Sequence, residues 1–105
     1  MRFLVLLGGA GHHEQWECAS EATRERMIAD YHAFADAVRA RGTLVVGDAL
    51  PPPGRVTAGP FAEAVEQLGG FYVVDLPDRA GADEVARLLP HEHDVVVLPT
   101  LGVEV

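Results

Sequence analysis

The sequence contains no lysine, and eight arginines are its whole basic complement against 16 acidic residues. The formal net charge is therefore −8 at pH 7. The arginines are scattered along the chain, whereas a nucleic-acid-binding surface needs clustered basic side chains that release counterions from the phosphates. The composition therefore predicts that the protein has no nucleic-acid partner.

Cysteine and long apolar runs are scarce as well. Cys18 is the single cysteine, which excludes an internal disulfide framework and is typical of a reducing compartment. We expect it to be a small, buried or half-buried side chain near the start of a helix. The opening apolar run, from Phe3 to Leu7, is too short for the hydrophobic core of a signal peptide or for a membrane span. We therefore expect a cytoplasmic protein with no membrane partner.

Apolar periodicity predicts strands alternating with helices within one domain that covers residues 1–105. Strands are predicted at residues 2–7, 43–49, 71–76 and 94–98, and helices from a cap at Ser20 or Thr23 to Gly42 and at residues 60–68 and 82–89. Residues 8–17 are predicted as a loop and residues 51–59 as a stiff connection. This order predicts an α+β fold, a ferredoxin-like βαββαβ antiparallel sheet with the two main helices on one face.

The predicted strands are apolar on both of their alternating faces. Phe3, Val5 and Leu7 point to one side of the first strand, and Leu4 and Leu6 point to the other. The helices can cover one face of the sheet, and the other face would then expose a larger apolar patch than monomers usually carry. We therefore expect a homodimer that buries the helix-free face.

The segment from Val56 to Pro77 combines a short helix with a buried strand. Pro60 suits the first helical position because its missing N–H has no partner there, and Gly69 is predicted to end the helix in a left-handed conformation. One helical face is predicted to be apolar through Phe61, Val65 and Leu68. After Gly70 the chain continues as an aromatic and β-branched strand.

This segment, with its GPF-A-E-x-x-E-Q-LGG-[FY]-Y core, resembles the DGPF-type branch of the YCII-related family. Ala58 stands where that family usually has Asp. The resemblance extends over most of the chain, through the helix that carries Tyr31 and the strand end at Asp48. It implies a dimeric α/β barrel type of ferredoxin-like fold.

The resemblance also implies where catalytic groups would stand. The best-known YCII-like enzymes are thought to use a His on the first helix and an Asp near the end of the second. In this chain those positions hold Tyr31 and Leu89, so neither member of the expected dyad is matched.

Five histidines are the most obvious candidates for chemistry, because the pKa of histidine lies nearest neutrality. His32 has Asp36 one helical turn later, and such a pair can fix the tautomer of a general base or be an ordinary surface contact. We predict a cavity beside the long helix. Its catalytic candidates are Tyr31, His32 and Asp48, and its substrate-binding candidates are His13, Trp16, Tyr72, His91 and His93.

His91 and His93 lie two residues apart and could share a metal ion on one face of a strand. A stable metal site needs three or four ligands, and nothing in the sequence brings the first loop to the last. A solvated polar loop and a role in substrate binding are the alternatives for these histidines. The sequence therefore predicts no metal and no cofactor.

Two functional hypotheses follow from these residues. The first is a small homodimeric protein that binds a small organic molecule and catalyses cofactor-free proton transfer, as in elimination, dehydration or isomerisation. The second is a non-catalytic ligand-binding or accessory module, and the missing dyad favours it. The excess of histidine beside a tyrosine and acids favours the first.

Overall fold

The computed structural model describes residues 1–51, 59–65 and 67–103 of the chain. Within these ranges the strands are β1 (Arg2–Gly8), β2 (Thr43–Ala49), β3 (Leu68–Asp75) and β4 (Asp94–Pro99). The helices are α1 (His12–Cys18), α2 (Glu21–Arg41), α3 (Pro60–Val65) and α4 (Arg79–Ala86).

The strands form one antiparallel sheet in the order β2-β3-β1-β4. Leaving aside the short helices α1 and α3, the element order is βαββαβ, so the predicted ferredoxin-like α+β fold is confirmed. The long helix α2 is capped by Ser20, whose hydroxyl accepts a hydrogen bond from the Thr23 N–H, as one of the two predicted caps.

The hydrophobic core lies between the sheet and the helices α2 and α4. Phe3, Val5 and Leu7 of β1 are almost completely buried, because every second residue of the strand faces the helices. They pack in one cluster with core residues of α2, β3 and α4, which include Phe34, Val38, Val74, Ala82 and Val85. The helices thus cover one face of the sheet, as predicted.

The opposite, helix-free face of the sheet is also apolar. Leu6 of β1 is paired with Phe71 of β3 and with Val96 of β4, and Leu4 makes the equivalent pairs one step along the strands. Val96 keeps 48% of its surface exposed. We use the term helix-free face for the side formed by Leu4, Leu6, Val46, Phe71, Val73, Val96 and Leu98.

The prediction of a loop at residues 8–17 is wrong, because residues 12–18 form helix α1. The guanidinium group of Arg24 donates hydrogen bonds to the carbonyl oxygens of Trp16, at 2.9 and 2.7 Å, and of Glu17, at 2.6 Å. These contacts satisfy carbonyls that a helix end leaves without partners. The sequence of residues 8–17 does not indicate this cap, because Arg24 lies on the next helix.

Cys18, at the end of α1, is exposed, in contrast to the predicted burial.

The short helix α3 ends at Val65, and the prediction that Gly69 terminates it is wrong. Gly69 and Gly70 belong to β3, and Gly69 has no positive φ. The strand begins earlier than predicted because a bulge between Leu7 and Gly8 lets β1 pair with Leu68. Phe61 is 84% exposed, so it does not belong to a buried helix face.

The last helix starts three residues before its predicted position. The Asp78 carboxylate accepts a hydrogen bond of 2.8 Å from the Gly81 N–H and so caps α4 at its N-terminus. Leu89 lies beyond the end of α4, and it is nevertheless buried in the core.

Candidate functional site

A cavity of about 520 Å³ lies where α1 and α2 face the ends of β2 and β3. We call it the histidine–tyrosine cavity. Helix α1 contributes His12, His13 and Trp16, and α2 contributes Tyr31 and His32; the sheet and the turn before β4 contribute Asp48, Gly69, Phe71, Tyr72 and His93. Its volume is in the range of small-molecule sites.

The centre of the cavity is a pair formed by Tyr31 and His93. The Tyr31 hydroxyl is hydrogen-bonded to the Nε2 atom of His93. The two rings are stacked, with centroids 5.7 Å apart and planes inclined by 24°. Helix α2 presents the phenol, and the turn that leads into β4 presents the imidazole. A phenol and an imidazole in contact can exchange donor and acceptor roles, because either tautomer of the neutral imidazole allows one hydrogen bond.

Burial keeps both members of this pair uncharged at neutral pH. It raises the pKa of Tyr31 to about 12, mainly because the phenolate would be poorly solvated. The pKa of His93 is lowered to about 4, first by burial and then by the neighbouring His12, while the Glu92 charge opposes the shift. A neutral phenol therefore meets a neutral imidazole.

A second imidazole, that of His12, packs beside this pair. Its ring centroid lies 4.9 Å from that of His93 and 5.1 Å from that of His13. Burial lowers the pKa of His12, and His13 adds to the effect. The imidazole has room there because Gly69 carries no side chain, and a Cβ atom at this position would overlap the His12 ring. The glycine in the strand thus marks a close approach of a side chain.

A Gly69→Ala variant should displace the His12 imidazole from His93. The protein should still fold, because a terminal ring can swing away at a cost of about 1–3 kcal/mol, the usual range for overpacking. NMR contacts between the two imidazoles should be lost in this variant and kept in Gly81→Ala, whose Cβ atom would meet only the Asp78 side chain at 3.2 Å. Retention of the His12–His93 contact in Gly69→Ala would contradict this account of the glycine.

Tyr72 supplies the second phenol of the cavity. Its ring packs against Phe34 of the core at 4.7 Å between centroids, and burial raises its pKa. Gly47 on the neighbouring strand leaves space for this ring, because a Cβ atom there would collide with it. Tyr72 thus connects the cavity to the packed core.

Seven of the eight predicted site residues line the cavity: His13, Trp16, Tyr31, His32, Asp48, Tyr72 and His93. His32 is exposed and lies on the lining. Asp48 is paired with Phe71 on the helix-free side of β2, and its Oδ1 atom accepts a hydrogen bond of 2.8 Å from the Ala49 N–H. The eighth residue, His91, lies outside the cavity with 81% of its side chain exposed.

Sequence reasoning missed His12 and the contact of His93 with Tyr31. Both depend on the approach of α1 and of the turn before β4 to one side of α2, which no local pattern encodes. The pair Gly69-Gly70 inside a strand was the available signal, since glycine in a strand often marks a close approach.

The family model described as YCII-related domain matches residues 1–97. The chain belongs to the YCII-related family. A solved structure of 5-chloro-2-hydroxyhydroquinone dehydrochlorinase (TftG) from Burkholderia phenoliruptrix AC1100, in complex with 2,5-dihydroxybenzoquinone, is 15% identical to the chain. The match covers 95% of this chain and 93% of that chain with a TM-score of 0.46. The curated proteins contain no match.

The two positions at which the family resemblance implies a His and an Asp have different surroundings in this YCII-related chain. Leu89 is 5% exposed and packs in the core, so an apolar side chain replaces the acid. Tyr31 faces the cavity and is hydrogen-bonded to an imidazole that comes from the turn before β4. The His93 imidazole therefore lies beside the position that the resemblance assigns to a histidine of α2, although His93 belongs to the turn before β4.

Two cavity nitrogens, His13 Nε2 and His93 Nδ1, are buried without a hydrogen-bond partner among the described residues. Buried polar atoms of this kind usually meet a ligand or an ordered water molecule. Within the described ranges, no three side chains of the His, Cys, Asp and Glu types stand close enough to hold a metal ion together. Of the described helices, none has the length and apolar character needed to cross a membrane.

Acidification from pH 6.5 to 4 should destabilise the fold through His93. The pKa of His93 in the folded protein, about 4, lies below its ordinary value of 6.5, so in this window the unfolded chain binds more protons and stability falls as the pH falls. Because the imidazole is only half-buried, we expect a loss of about 1–2 kcal/mol after allowance for solvent screening. Thermal unfolding of His93→Gln should show a weaker dependence on pH over this window than that of the wild-type protein. Equal curves for wild type and His93→Gln would contradict the assignment.

Proposed function

We propose that this protein binds a small organic molecule in the histidine–tyrosine cavity and catalyses a proton transfer that needs no cofactor, as in elimination, dehydration or isomerisation. The observation that supports the proposal best is the hydrogen-bonded pair of Tyr31 and His93 inside a cavity of small-molecule size. A phenol, an imidazole beside it and a further imidazole are the groups that general acid–base chemistry uses.

Tyr31 is suited to the role of acid or oxyanion donor. Its hydroxyl can accept a hydrogen bond from His93 Nε2 while it donates its own proton to an oxygen of the ligand. Because burial holds the pKa of Tyr31 at about 12, the donor stays protonated over the physiological range. A donor fixed in a cavity stabilises negative charge that develops on a carbonyl oxygen.

His12 is suited to the role of base. Its lowered pKa leaves the imidazole unprotonated at neutral pH, and it lies against His93 at 4.9 Å between centroids. In the proposed step His12 takes a proton from a carbon next to a carbonyl group, and the C–H electron pair moves to the oxygen that Tyr31 contacts. The enolate then expels a leaving group from the adjacent carbon, or it is reprotonated at another carbon. The first outcome is an elimination and the second an isomerisation.

The charges around the cavity favour an uncharged ligand. Among the described residues that line it, Glu17 and Asp48 are the acidic side chains and none is an arginine, and the formal net charge of the chain is −8. Burial keeps His12 and His93 unprotonated. A carboxylate or phosphate ligand would therefore meet repulsion, whereas an apolar ring with a carbonyl or hydroxyl group would pack against the aromatic lining.

The homodimer belongs to this proposal, and the helix-free face supports it. Val46, Val96 and Leu98 on this face are 42–48% exposed. Val96 and Leu98 are paired with the half-buried Leu6 and Leu4, and Val46 is paired with Val73. Contiguous apolar surface of this kind usually marks an interaction site. A second copy of the chain is the partner whose face has the same chemistry.

One observation favours the alternative, a non-catalytic ligand-binding or accessory module. The position of the family acid is Leu89, a core residue, so the chain lacks the carboxylate that the resemblance implies. In this alternative the same cavity would bind a ligand and release it without chemical change.

Binding can be tested with a panel of small cyclic ketones and phenols by imidazole NMR. A ligand of the cavity should shift the resonances of His12 and His93. In the His93→Phe variant, the ligand should no longer shift the His12 resonances. The exposed His91 should be unaffected, because it lies outside the cavity. Shifts confined to His91, or saturable binding that His93→Phe leaves intact, would overturn the proposed site.

The pH dependence of turnover should have an acid limb and no alkaline limb up to pH 10. The rate should fall as His12 becomes protonated, below pH 6.5 because its pKa is lowered. It should stay level at higher pH, because Tyr31 remains protonated up to a pKa of about 12. Measurement of kcat/KM between pH 4.5 and 10 tests this, and a fall in rate between pH 8 and 10 would contradict the role of Tyr31.

A further inference from the structure

The turn that carries His93 is tied to helix α2 by an ion pair outside the cavity. Arg26 of α2 forms a salt bridge to the Oε2 atom of Glu92, the residue that precedes His93. The same guanidinium group contacts Asp30 Oδ2 at 3.0 Å and His91 Nδ1 at 3.2 Å. One arginine therefore holds two consecutive residues of the turn against the helix.

The Glu92 carboxylate of this ion pair is less exposed than the acids of the other arginine–carboxylate pairs among the described residues. The Glu92 side chain is 14% exposed, whereas the acids of the other Arg–carboxylate pairs described here are 31–63% exposed. Arg26 is the main cause of the lowered pKa of Glu92. A shielded carboxylate needs its partner, because loss of that partner would leave a charge in a poorly solvated place.

The turn itself leaves His93 little freedom once it is anchored. The His93 N–H donates a hydrogen bond of 3.1 Å to the carbonyl oxygen of Pro90, which closes the turn, and Pro90 is fully buried. Tyr31 lies on α2, as Arg26 does, so the helix provides both the anchor of the turn and the phenol that His93 meets.

We infer that Arg26 and Glu92 are positioning residues, whose ion pair fixes the turn at residues 90–93 on α2 and thereby holds the His93 imidazole against the Tyr31 hydroxyl. This inference rests on the proposed function for its consequence in catalysis. The position of His93 itself can be measured without a substrate.

The test is an NMR titration of His93 in wild type, Glu92→Gln and the control Glu84→Gln. Glu84 also bonds an arginine of α2, Arg41, at 3.0 and 3.1 Å, and neither residue lines the cavity. Removal of the Glu92 charge alone would lower the pKa of His93 further, because that charge raises it. Release of His93 into solvent would move its pKa upward from about 4 toward 6.5. The sign of the change thus separates positioning from a purely electrostatic effect.

We expect the upward shift in Glu92→Gln, with loss of the Tyr31–His93 contact, and an unchanged His93 in Glu84→Gln. The other charged neighbours stay the same in both variants. Arg79 and Asp83 of α4, and Arg87 just after it, line a groove that His93 also borders, and His12 packs on its cavity side. If Glu92→Gln does not fold, Arg26→Lys keeps the charge, loses the planar fork and should give the same upward shift. A pKa of His93 that stays or falls, or an equal shift in Glu84→Gln, would overturn the inference.

Where a compound is turned over, Glu92→Gln should lower kcat by about 10–100-fold and leave KM nearly unchanged, because a misplaced group costs rate rather than binding. Failure of the two proposals can be distinguished. An upward shift of the His93 pKa in a protein that turns over no compound would support the positioning role and speak against catalysis. Turnover of a compound, together with a His93 pKa that does not change in Glu92→Gln, would support catalysis and speak against the positioning role.

Discussion

A Tyr31→Phe variant is expected to lose about 10²–10³-fold in kcat, the usual effect of removing one donor that stabilises a developing oxyanion. The substitution removes only the hydroxyl group that is bonded to His93. The fold should persist, because the phenyl ring keeps the packing of Tyr31 against the core cluster. The measurement is kcat and KM on a compound that the wild-type protein turns over.

Tyr72→Phe is the matched control for this prediction. Tyr72 is the other phenol of the cavity, it is about equally buried, and no hydrogen bond to a described residue holds its hydroxyl. We expect the Tyr72 variant to change KM more than kcat. A Tyr31→Phe variant with wild-type kcat would remove Tyr31 from the reaction and leave the cavity as a binding site.

A Leu6→Asp variant is expected to abolish self-association. Leu6 lies at the centre of the helix-free face between Phe71 and Val96, so the aspartate would bury an unpaired charge in the proposed interface. The cost of such a charge is several kcal/mol. Light scattering should give twice 11.3 kDa for the wild type and 11.3 kDa for the variant.

Leu88→Asp provides the control for this effect. Leu88 is a leucine too, 43% exposed, and it follows helix α4 away from the strands of the helix-free face. This variant should keep the wild-type mass. A wild-type protein of 11.3 kDa at micromolar concentration would contradict the proposed dimer outright.

Most of the fold could be predicted because alternation and helical spacing are local properties of the sequence. In strand β1, Phe3, Val5 and Leu7 lie on the helix side and leucines lie on the other side. The pairing of β1 with β3 and β4 keeps the apolar residues of each face together. The wrong predictions concern segments whose backbone conformation depends on a residue that is distant in the sequence. Helix α1 depends on the Arg24 guanidinium, and the conformation of Gly69 depends on a bulge in the strand beside it.

The candidate site was predicted less completely for the same reason. Tyr31 and His32 were recognised from their place on one helix, and the structure brings both to the cavity. The partner of Tyr31 comes from a turn 62 residues later in the chain. His12 lies in the segment that the sequence predicts as a loop and that forms helix α1. His91 and His93 look equivalent in the sequence, and only the direction of the turn separates them.

The most direct test of the central claim is hydrogen–deuterium exchange in D₂O, followed by proton NMR on ketones that bind the cavity. Proton transfer predicts that the wild-type protein exchanges the hydrogen atoms next to the carbonyl group faster than buffer does, and that Tyr31→Phe and His12→Gln each lose this acceleration. A compound that binds at His93 and shows no accelerated exchange, or exchange that both variants retain, would contradict catalysis at this site and leave the ligand-binding module as the function.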